Sequence, residues 1–212
     1  MSTNEKLANE WKKVGLNVTS VRSGTVFYSG MRASSPIHDP LSHMKIKNSA
    51  WLSQSAYWAG EYCYRESEQN PYKVLIKTSL RKDIVVIEFP STFHPADAFY
   101  EWEFRGGKFM VDYSRLRADM ECDGEQPDHH IDKHFLNIAS LAGYRDAFDG
   151  YIRKAEDDRL GAKAGEIVEL SLINQSGLSM ESSITPPDEK SSFREKIGPD
   201  LSMAGLELFN RA

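Results

Sequence analysis

Short runs of β-branched and aromatic residues, bounded by turn residues, are the feature that most limits how this chain can fold. The clearest two are YKVLIKTSL, residues 72–80, and DIVVIEFP, residues 83–90. Runs of this length and composition predict strands, and the RKD between them is short enough for a hairpin. TVFYSGM (25–31) and AGEIVELSLI (164–173) predict two more strands, and DGYIRKA predicts a short strand after a turn.

Few segments have helical periodicity. Leu7, Trp11 and Val14 share one face of an amphipathic helix predicted over residues 4–14, and residues 131–148 predict another helix. Many short strands with two or three helices indicate an α+β protein with split, mostly antiparallel sheets. The same pattern argues against a doubly wound sheet. The chain has neither a G-x-G-x-x-G motif nor a P-loop motif, so a dinucleotide or triphosphate bound at a helix N-terminus is not expected.

The length of 212 residues fits one domain. We predict a single domain over residues 1–173, with an insertion of short elements at about 91–130. RASSPIHDPLSH, residues 32–43, is predicted to be loop because it combines serines with two prolines. Residues 174–212 predict a loop-rich tail whose last residues either form a docked helix or remain frayed.

The charge of the chain bounds its partners. Lys and Arg number 26 against 31 Asp and Glu, a net charge of -5, so nucleic acid and anionic membranes are not expected to attract it. The polar N-terminus has no apolar signal segment, and no apolar run has the length of a membrane span. We expect a cytoplasmic protein by default, or one secreted into a target cell without a cleaved signal. Two cysteines, Cys63 and Cys122, are expected to be free thiols.

The segment NSAWLSQSAYWAGEYCYR, residues 48–65, runs from a strand pattern directly into a helix pattern. Its helical part holds three tyrosines and a tryptophan beside small and hydroxyl residues. One interpretation is a core helix that happens to be aromatic. The other is a wall on which a flat ligand stacks.

The order of four motifs favours the second interpretation. VFYSGM is followed by SAWLSQSAYWAGEYC, then by the two strands at 72–80 and 83–90, and finally by AFDGYI and GEIVEL. Over residues 24–173 this order resembles the ADP-ribosyltransferase fold of diphtheria-toxin-like toxins and poly-ADP-ribose polymerases. The resemblance implies NAD as co-substrate and release of nicotinamide. It also implies transfer of ADP-ribose to a macromolecule, here expected to be a protein, by an enzyme of the bacterial toxin or effector kind.

The resemblance also assigns residues. Gly30 would hold the nicotinamide amide, Tyr62 would stack on the ring, and Glu166 would be the catalytic acid. The chain departs from the family at Ser29, where His or Arg is usual. It departs again at Ala164, where members that modify arginine carry Gln or Glu, so arginine is not the expected target.

The chemistry of nicotinamide–ribose cleavage asks for these residue types. The ribose gains positive charge in the transition state, which a carboxylate such as Glu166 stabilises. A backbone N–H and C=O pair grips a carboxamide, and Gly30 has no Cβ to block access to its own pair. Tyr62, backed by Tyr57 or Trp58, would supply the aromatic ring.

Serines are expected to assist at this site. Ser29 lies beside Gly30, while Ser53 and Ser55 are two positions apart and would share one face of a strand, where their hydroxyls would position Glu166 or the ribose. Glu169 competes with Glu166 for the catalytic role. Its odd spacing from Glu166 predicts that it points to the opposite face of the strand.

Three alternatives remain open from the sequence. His130 and His134, with Asp132 and His94, have a spacing that can hold zinc, but they lack the H-E-x-x-H glutamate and no metal is expected. An RNA 2'-phosphotransferase of similar fold would need basic residues such as Arg22, Arg32 and Arg65 to converge on a phosphate. The third alternative is a non-catalytic interaction protein on a degenerate form of the fold, and Ser29 favours it.

Overall fold

In the computed structural model of the protein, the described residues are 17–46, 50–64, 71–89, 148–156, 162–172, 175–190 and 192–193. Within these described segments, bounds are defined for two short helices, α1 (Pro40–Ile46) and α2 (Ala56–Glu61). A 3-10 turn, Gln175–Gly177, precedes the last strand. The strands are β1 (Asn17–Val21), β2 (Val26–Ala33), β3 (Ala50–Leu52), β4 (Tyr72–Leu80), β5 (Ile84–Phe89), β6 (Gly150–Lys154), β7 (Ile167–Leu172) and β8 (Leu178–Ile184).

The strands form two separate sheets. The larger sheet has the order β1-β5-β6-β7-β3, and the smaller sheet has the order β2-β4-β8. Neighbouring strands are antiparallel except for β5 and β6, which are parallel. The predicted α+β class, with split and mostly antiparallel sheets and few helices, is therefore confirmed.

The main core lies between the two sheets. Apolar side chains from strands of both sheets and from α1 meet in one buried cluster: Val21, Phe27, Met31, Met44, Leu52, Val74, Ile76, Leu80, Ile84, Val86, Ile152, Ile167, Leu170, Leu172 and Leu178. On β2 the core-facing residues alternate, because successive side chains of a strand point to opposite faces. Tyr28 and Gly30 therefore face the other way.

A second core covers the outer face of the smaller sheet. There α2 packs on β2 and β4, and buried side chains fill the space between them: Tyr28, Ala56, Ala59, Cys63, Leu75 and Phe193. Ser55 caps α2, because its side-chain oxygen accepts the backbone N–H of Trp58 at 3.1 Å. The aromatic segment of the sequence thus forms α2, which packs on β2, the strand that carries Gly30.

Two predicted features of the first half differ in the structure. β4 and β5 have the predicted positions but belong to different sheets, so the predicted hairpin is wrong, and the RKD segment instead carries the chain from one sheet to the other. The predicted loop at 32–43 contains the end of β2 and the start of α1. Asp39 begins this helix by accepting the N–H of Ser42 at 3.1 Å, and Pro40 occupies the first turn, where its missing N–H costs nothing.

The segment after residue 173 also differs from the predicted loop. β8 pairs antiparallel with β4 from Leu75↔Ile184 to Leu80↔Leu178 and completes the smaller sheet. The helices predicted at 4–14 and at the C-terminus and the insertion at 91–130 lie outside the described residues, as does the helix at 131–148 apart from its last residue. Among the helices that are described, none is long and apolar enough to cross a membrane.

Candidate functional site

Ser53 joins the larger sheet to the smaller one. It directly follows β3, and its backbone N–H donates to the carbonyl of Tyr28 at 2.9 Å, while the N–H of Tyr28 donates to the carbonyl of Ser53 at 2.7 Å. This single antiparallel bridge attaches β2 to the end of β3. The strand that carries Gly30 is therefore fixed to the segment that enters α2.

Gln54 makes the corresponding attachment to β7. Its backbone N–H donates to the carbonyl of Ile167 at 2.8 Å, and the N–H of Ile167 donates to the side-chain Oε1 of Gln54 at 2.7 Å. Glu166 immediately precedes Ile167. Residues 53 and 54 thus bring three predicted motifs together, although Gln54 and Ile167 are 113 positions apart in the sequence.

Gly30 lies on β2, an edge strand of the smaller sheet among the described residues. The N–H and C=O of Tyr28 point to Ser53, away from β4. Backbone groups two residues apart on a strand point to the same side, so the N–H and C=O of Gly30 also point away from β4. The bridge to β3 stops at Ser53, and no hydrogen bond to either group comes from the residues that the structure describes. One donor and one acceptor therefore stand side by side, as the expected carboxamide site needs.

Helix α2 lies directly over Gly30. A Cβ at position 30 would collide with the carbonyl oxygen of Ala59 and would lie 2.8 Å from the Sγ of Cys63. The same Ala59 carbonyl accepts the N–H of Tyr62 at 3.2 Å. Glycine is required here by this close approach, and the approach brings Tyr62 next to the open edge of β2.

The ring of Tyr62 is half-buried beside Trp51. The two ring centroids are 6.4 Å apart and the planes are tilted by 48°. Trp51 faces away from the main core, because its neighbour Leu52 faces into it. The sequence analysis missed Trp51, although its alternation with an apolar neighbour on β3 was a usable signal.

Tyr57 lies on a different side of α2 from the one predicted. Its ring stacks on Phe193 with centroids 6.5 Å apart and an interplanar angle of 29°. By helical spacing Trp58, four residues before Tyr62, shares the face of Tyr62, whereas Tyr57 does not. The role predicted for Tyr57 as a second ring behind Tyr62 is therefore wrong.

All three predicted serines are buried, and two of them have hydrogen-bond partners within the fold. Ser55 is the N-cap of α2, so it does not lie on a strand two positions after Ser53 as expected. The Oγ of Ser53 accepts the N–H of Ser55 at 3.1 Å, and both serines are buried. Ser29 is only 5% exposed, and by alternation it shares the face of β2 that bears Phe27 and Met31.

Glu166 occupies the turn that precedes β7. Its side-chain Oε2 accepts the N–H of Lys163 at 2.9 Å, and its carbonyl accepts the N–H of Ala155 at 2.9 Å. Gly165 adopts a φ of 86°, a left-handed conformation that lets the chain turn into the strand. The carboxylate is half-buried, and none of the described lysines or arginines forms an ion pair with it.

A break in the strand register places Glu166 and Glu169 on the same side of the larger sheet. Arg153 pairs with Glu169, but the next residue, Lys154, pairs with Ile167, so β7 contains one extra residue there. Ile167 and Leu170 consequently both face the main core. The expectation that odd spacing puts Glu169 opposite Glu166 is therefore wrong.

Glu169 differs from Glu166 in its partners. Its Oε1 accepts the hydroxyl of Tyr151 at 2.8 Å, and its Oε2 lies 3.7 Å from the Nε of Arg153. Both side chains of this ion pair are largely buried, at 21% and 15% exposure. The charge of Glu169 is thus already matched by a neighbouring cation.

The side chain of Cys63 contributes packing and does not supply a reactive thiolate. It is fully buried, and its Sγ donates to the carbonyl of Val74 at 3.4 Å. Burial raises the pKa of its thiol to about 12, so the thiolate does not form near neutral pH. The residue is therefore a packing contact behind Gly30.

The competing sites of the sequence analysis fall largely on parts of the chain that are not described. His94, His130, Asp132 and His134 lie outside the described residues, as do Cys122 and Arg65. Within the described segments, no group of three or more His, Cys, Asp or Glu side chains could hold a metal ion.

The hydrogen bonds of Ser53 and Gln54 thus connect the segments around Gly30 and Glu166. The rings of Tyr62 and Trp51 lie beside each other, and among the described residues no cation pairs with Glu166. Comparison of the chain with protein-family models, with curated proteins and with solved structures found no match.

Proposed function

We propose that the protein is an NAD-dependent mono-ADP-ribosyltransferase on an ADP-ribosyltransferase-like fold, and that it modifies a protein. The observation that carries this proposal is the pair of attachments made by residues 53 and 54. Ser53 binds the strand of Gly30, and Gln54 binds the start of the strand that follows Glu166. Motifs that are far apart in the sequence are thereby gathered at one place, as this chemistry requires.

Gly30, Tyr62 and Trp51 would bind the nicotinamide. The open N–H and C=O of Gly30 match the acceptor and donor of a carboxamide. The half-buried ring of Tyr62 supplies an aromatic face, and Trp51 bounds the same space from β3. This arrangement holds the leaving group without any charged side chain, which suits a neutral product.

Glu166 would stabilise the positive charge that develops on the ribose. The bond between the ribose C1' and the nicotinamide nitrogen breaks, and its electron pair leaves with neutral nicotinamide. A nucleophilic side chain of the target protein then forms the new bond to C1' and gives up its proton. Glu166 suits the electrostatic role better than Glu169, because the ion pair with Arg153 already offsets the charge of Glu169.

Ser29 defines the main alternative. At this position the resemblance leads one to expect His or Arg, whereas Ser29 is short and buried. A chain that binds NAD or a partner without turnover would be a non-catalytic interaction protein. The two functions differ in one measurable quantity, the release of nicotinamide.

The test is to incubate the full chain with a cell lysate and NAD labelled in its ADP-ribose part. We expect labelled protein bands and an equal release of nicotinamide, both lost in Glu166→Gln. Glu189→Gln, at an exposed carboxylate on another segment, is the matched control and should behave as wild type. Binding of NAD with neither label transfer nor nicotinamide release would instead establish the interaction protein.

A further inference from the structure

We propose that Gln54 is a positioning residue whose side chain holds Glu166 in register with the nicotinamide-binding edge of Gly30. The inference rests on the proposed function and adds to it a residue that the sequence motifs did not single out. Its basis is the hydrogen bond from the N–H of Ile167 to the Oε1 of Gln54, at 2.7 Å.

The side chain of Gln54 takes the place of a backbone acceptor in the pairing with β7. In a regular antiparallel pair, two opposite residues exchange N–H and C=O groups through their backbones. Here the backbone of Gln54 supplies the donor to Ile167, but its side chain supplies the acceptor. These two hydrogen bonds lie where the chain passes from β3 to α2, next to the extra residue in β7. The side-chain acceptor of Gln54 thus continues the contact with β7 beyond the last regular backbone pair of β3 and β7.

The attachment acts on Glu166 through one covalent step. The nitrogen that Gln54 binds is joined directly to the carbonyl carbon of Glu166, so fixing that nitrogen restricts the position of the glutamate. On the opposite side, the turn is held by the bond from Ala155 to the carbonyl of Glu166 at 2.9 Å. The backbone around Glu166 is therefore held from two directions, and of these two contacts only the one from Gln54 uses a side chain of another segment.

The orientation of the Gln54 amide follows from its partner. The N–H of Ile167 is a donor, so the amide oxygen must face it, and the two N–H donors of Nε2 point elsewhere. A glutamate at position 54 would keep an acceptor for Ile167 and would place a negative charge beside Glu166. A methionine would keep the length of the side chain and lose the acceptor. These two substitutions separate the hydrogen bond from the charge.

Gln175 provides the matched control. Its amide also makes a half-buried hydrogen bond to backbone, from Nε2 to the carbonyl of Met44 at 3.1 Å, and this bond lies on the turn before β8. Gln175→Met removes a contact of the same kind away from Glu166. A general loss of stability should therefore be similar in Gln175→Met and Gln54→Met, whereas a loss of positioning should be confined to Gln54→Met.

The experiment measures kcat and KM for NAD in the full chain, together with hydrogen exchange of the Ile167 amide. In Gln54→Met we expect faster exchange at Ile167, a kcat lower by about tenfold to a hundredfold and a KM changed by less than about threefold, because misplacement of a catalytic group mainly affects the chemical step. Gln175→Met should keep the kcat of wild type. The kcat of a protein that carries both Gln54→Met and Glu166→Gln should be only slightly lower than the kcat of Glu166→Gln alone.

Gln54→Glu gives a readout that a purely structural contact would not give. Ile167 should remain protected from exchange, while the acid limb of the pH profile of kcat should move to higher pH, because two neighbouring carboxylates retain protons more strongly. This variant serves equally well if Gln54→Met does not fold.

The outcomes are distinguishable. A Gln54→Met protein with an unprotected Ile167 amide and the kcat of wild type would overturn the positioning role and leave the proposed function standing. An unmoved acid limb in Gln54→Glu would also overturn it. Absence of nicotinamide release from the wild-type chain would remove the proposed function, and with it this inference.

Discussion

The carbonyl oxygen of Ala59 occupies the space that a Cβ on residue 30 would need. This contact couples the aromatic helix to the strand edge, because Ala59 belongs to α2 and Gly30 to β2. The same carbonyl accepts the N–H of Tyr62. The separation between Gly30 and the backbone of Tyr62 is therefore set by backbone atoms, which have little freedom to adjust.

Gly30→Ala is expected to lower the free energy of unfolding by about 1–3 kcal/mol, because the new methyl group must displace helix backbone. Chemical unfolding followed by circular dichroism measures the change. Gly177→Ala is the matched control: its new Cβ would lie 3.5 Å from the flexible side chain of Lys82, an ordinary contact. Equal stabilities of the two variants would contradict the close approach of α2 to β2.

Tyr62→Ala is expected to weaken binding of NAD by about 1–3 kcal/mol, the range for losing a base stacked on an aromatic ring. Tyr62→Phe should be nearly neutral, because the ring makes the contact. Isothermal titration calorimetry with a non-hydrolysable NAD analogue measures both.

The position of Tyr57 supplies the control for this prediction. Tyr57→Leu removes a ring from the same helix on the side that stacks against Phe193, so it should reduce stability and leave NAD affinity unchanged. Affinity that falls in Tyr57→Leu and not in Tyr62→Ala would reverse the assignment of the two faces.

Glu166→Gln is expected to reduce kcat by about a hundredfold to a thousandfold while NAD affinity changes little, because the lost charge acts mainly in the transition state. Since both glutamates lie on one side of the sheet, Glu169→Gln is the decisive comparison. It should reduce kcat by less than about tenfold, because the charge of Glu169 is already offset by Arg153. A larger effect in Glu169→Gln would transfer the catalytic role to that residue.

The individual strands could be predicted from the sequence, but the way they pair could not. β4 has the predicted bounds because its run of apolar and β-branched residues suits a strand with both faces partly buried. Nothing in RKD distinguishes a hairpin from a crossing between sheets, since a short polar turn serves both. The composition of β8 predicts a loop, because a partly exposed edge strand can be rich in serine and then resembles a turn.

The candidate residues of the site follow from the sequence, but their geometry does not. The resemblance alone names Gly30, Tyr62 and Glu166, and their roles stay predictions. The side of the sheet that Glu169 occupies depends on one extra residue in β7, which leaves no mark in the alternation of apolar residues. The contact of Gln54 with Ile167 is likewise invisible in the sequence, because it forms only when distant segments meet.

The stability of the protein is expected to fall as pH rises above about 9, because burial raises the pKa of Cys63 to about 12 from its ordinary value of 9.0. Between these values an unfolded chain loses a proton that the folded chain keeps, so alkaline conditions favour unfolding. Burial raises the pKa of Tyr64 as well, in the same direction. Urea unfolding at pH 8 and pH 10 measures the loss.

Cys63→Ala is the control for this pH dependence. It should reduce the fall in stability between the two pH values without abolishing it, since Tyr64 remains. In a Cys122→Ala background, Cys63 should react with iodoacetamide only after unfolding. Rapid alkylation of the native protein at pH 8 would show that the thiol is neither buried nor neutral.

Phe193→Ala is expected to lower the free energy of unfolding by about 3–5 kcal/mol, as for other fully buried phenylalanines. The ring of Phe193 is fully buried, packs against the backbone of Gly60 and stacks with Tyr57, so it holds α2 on the smaller sheet. Tyr72→Ala, at a side chain that is 43% exposed, is the control and should change stability little.

A chain that ends at residue 173 extends the same argument to the predicted boundary of the domain. It would lack both Phe193 and β8, leaving β4 with an unpaired edge and one partner in place of two. A two-stranded sheet is marginally stable in water, so this shortened chain should unfold at lower urea than Phe193→Ala or fail to remain soluble. A soluble 1–173 chain with the unfolding midpoint of wild type would show that the segment beyond residue 173 is dispensable.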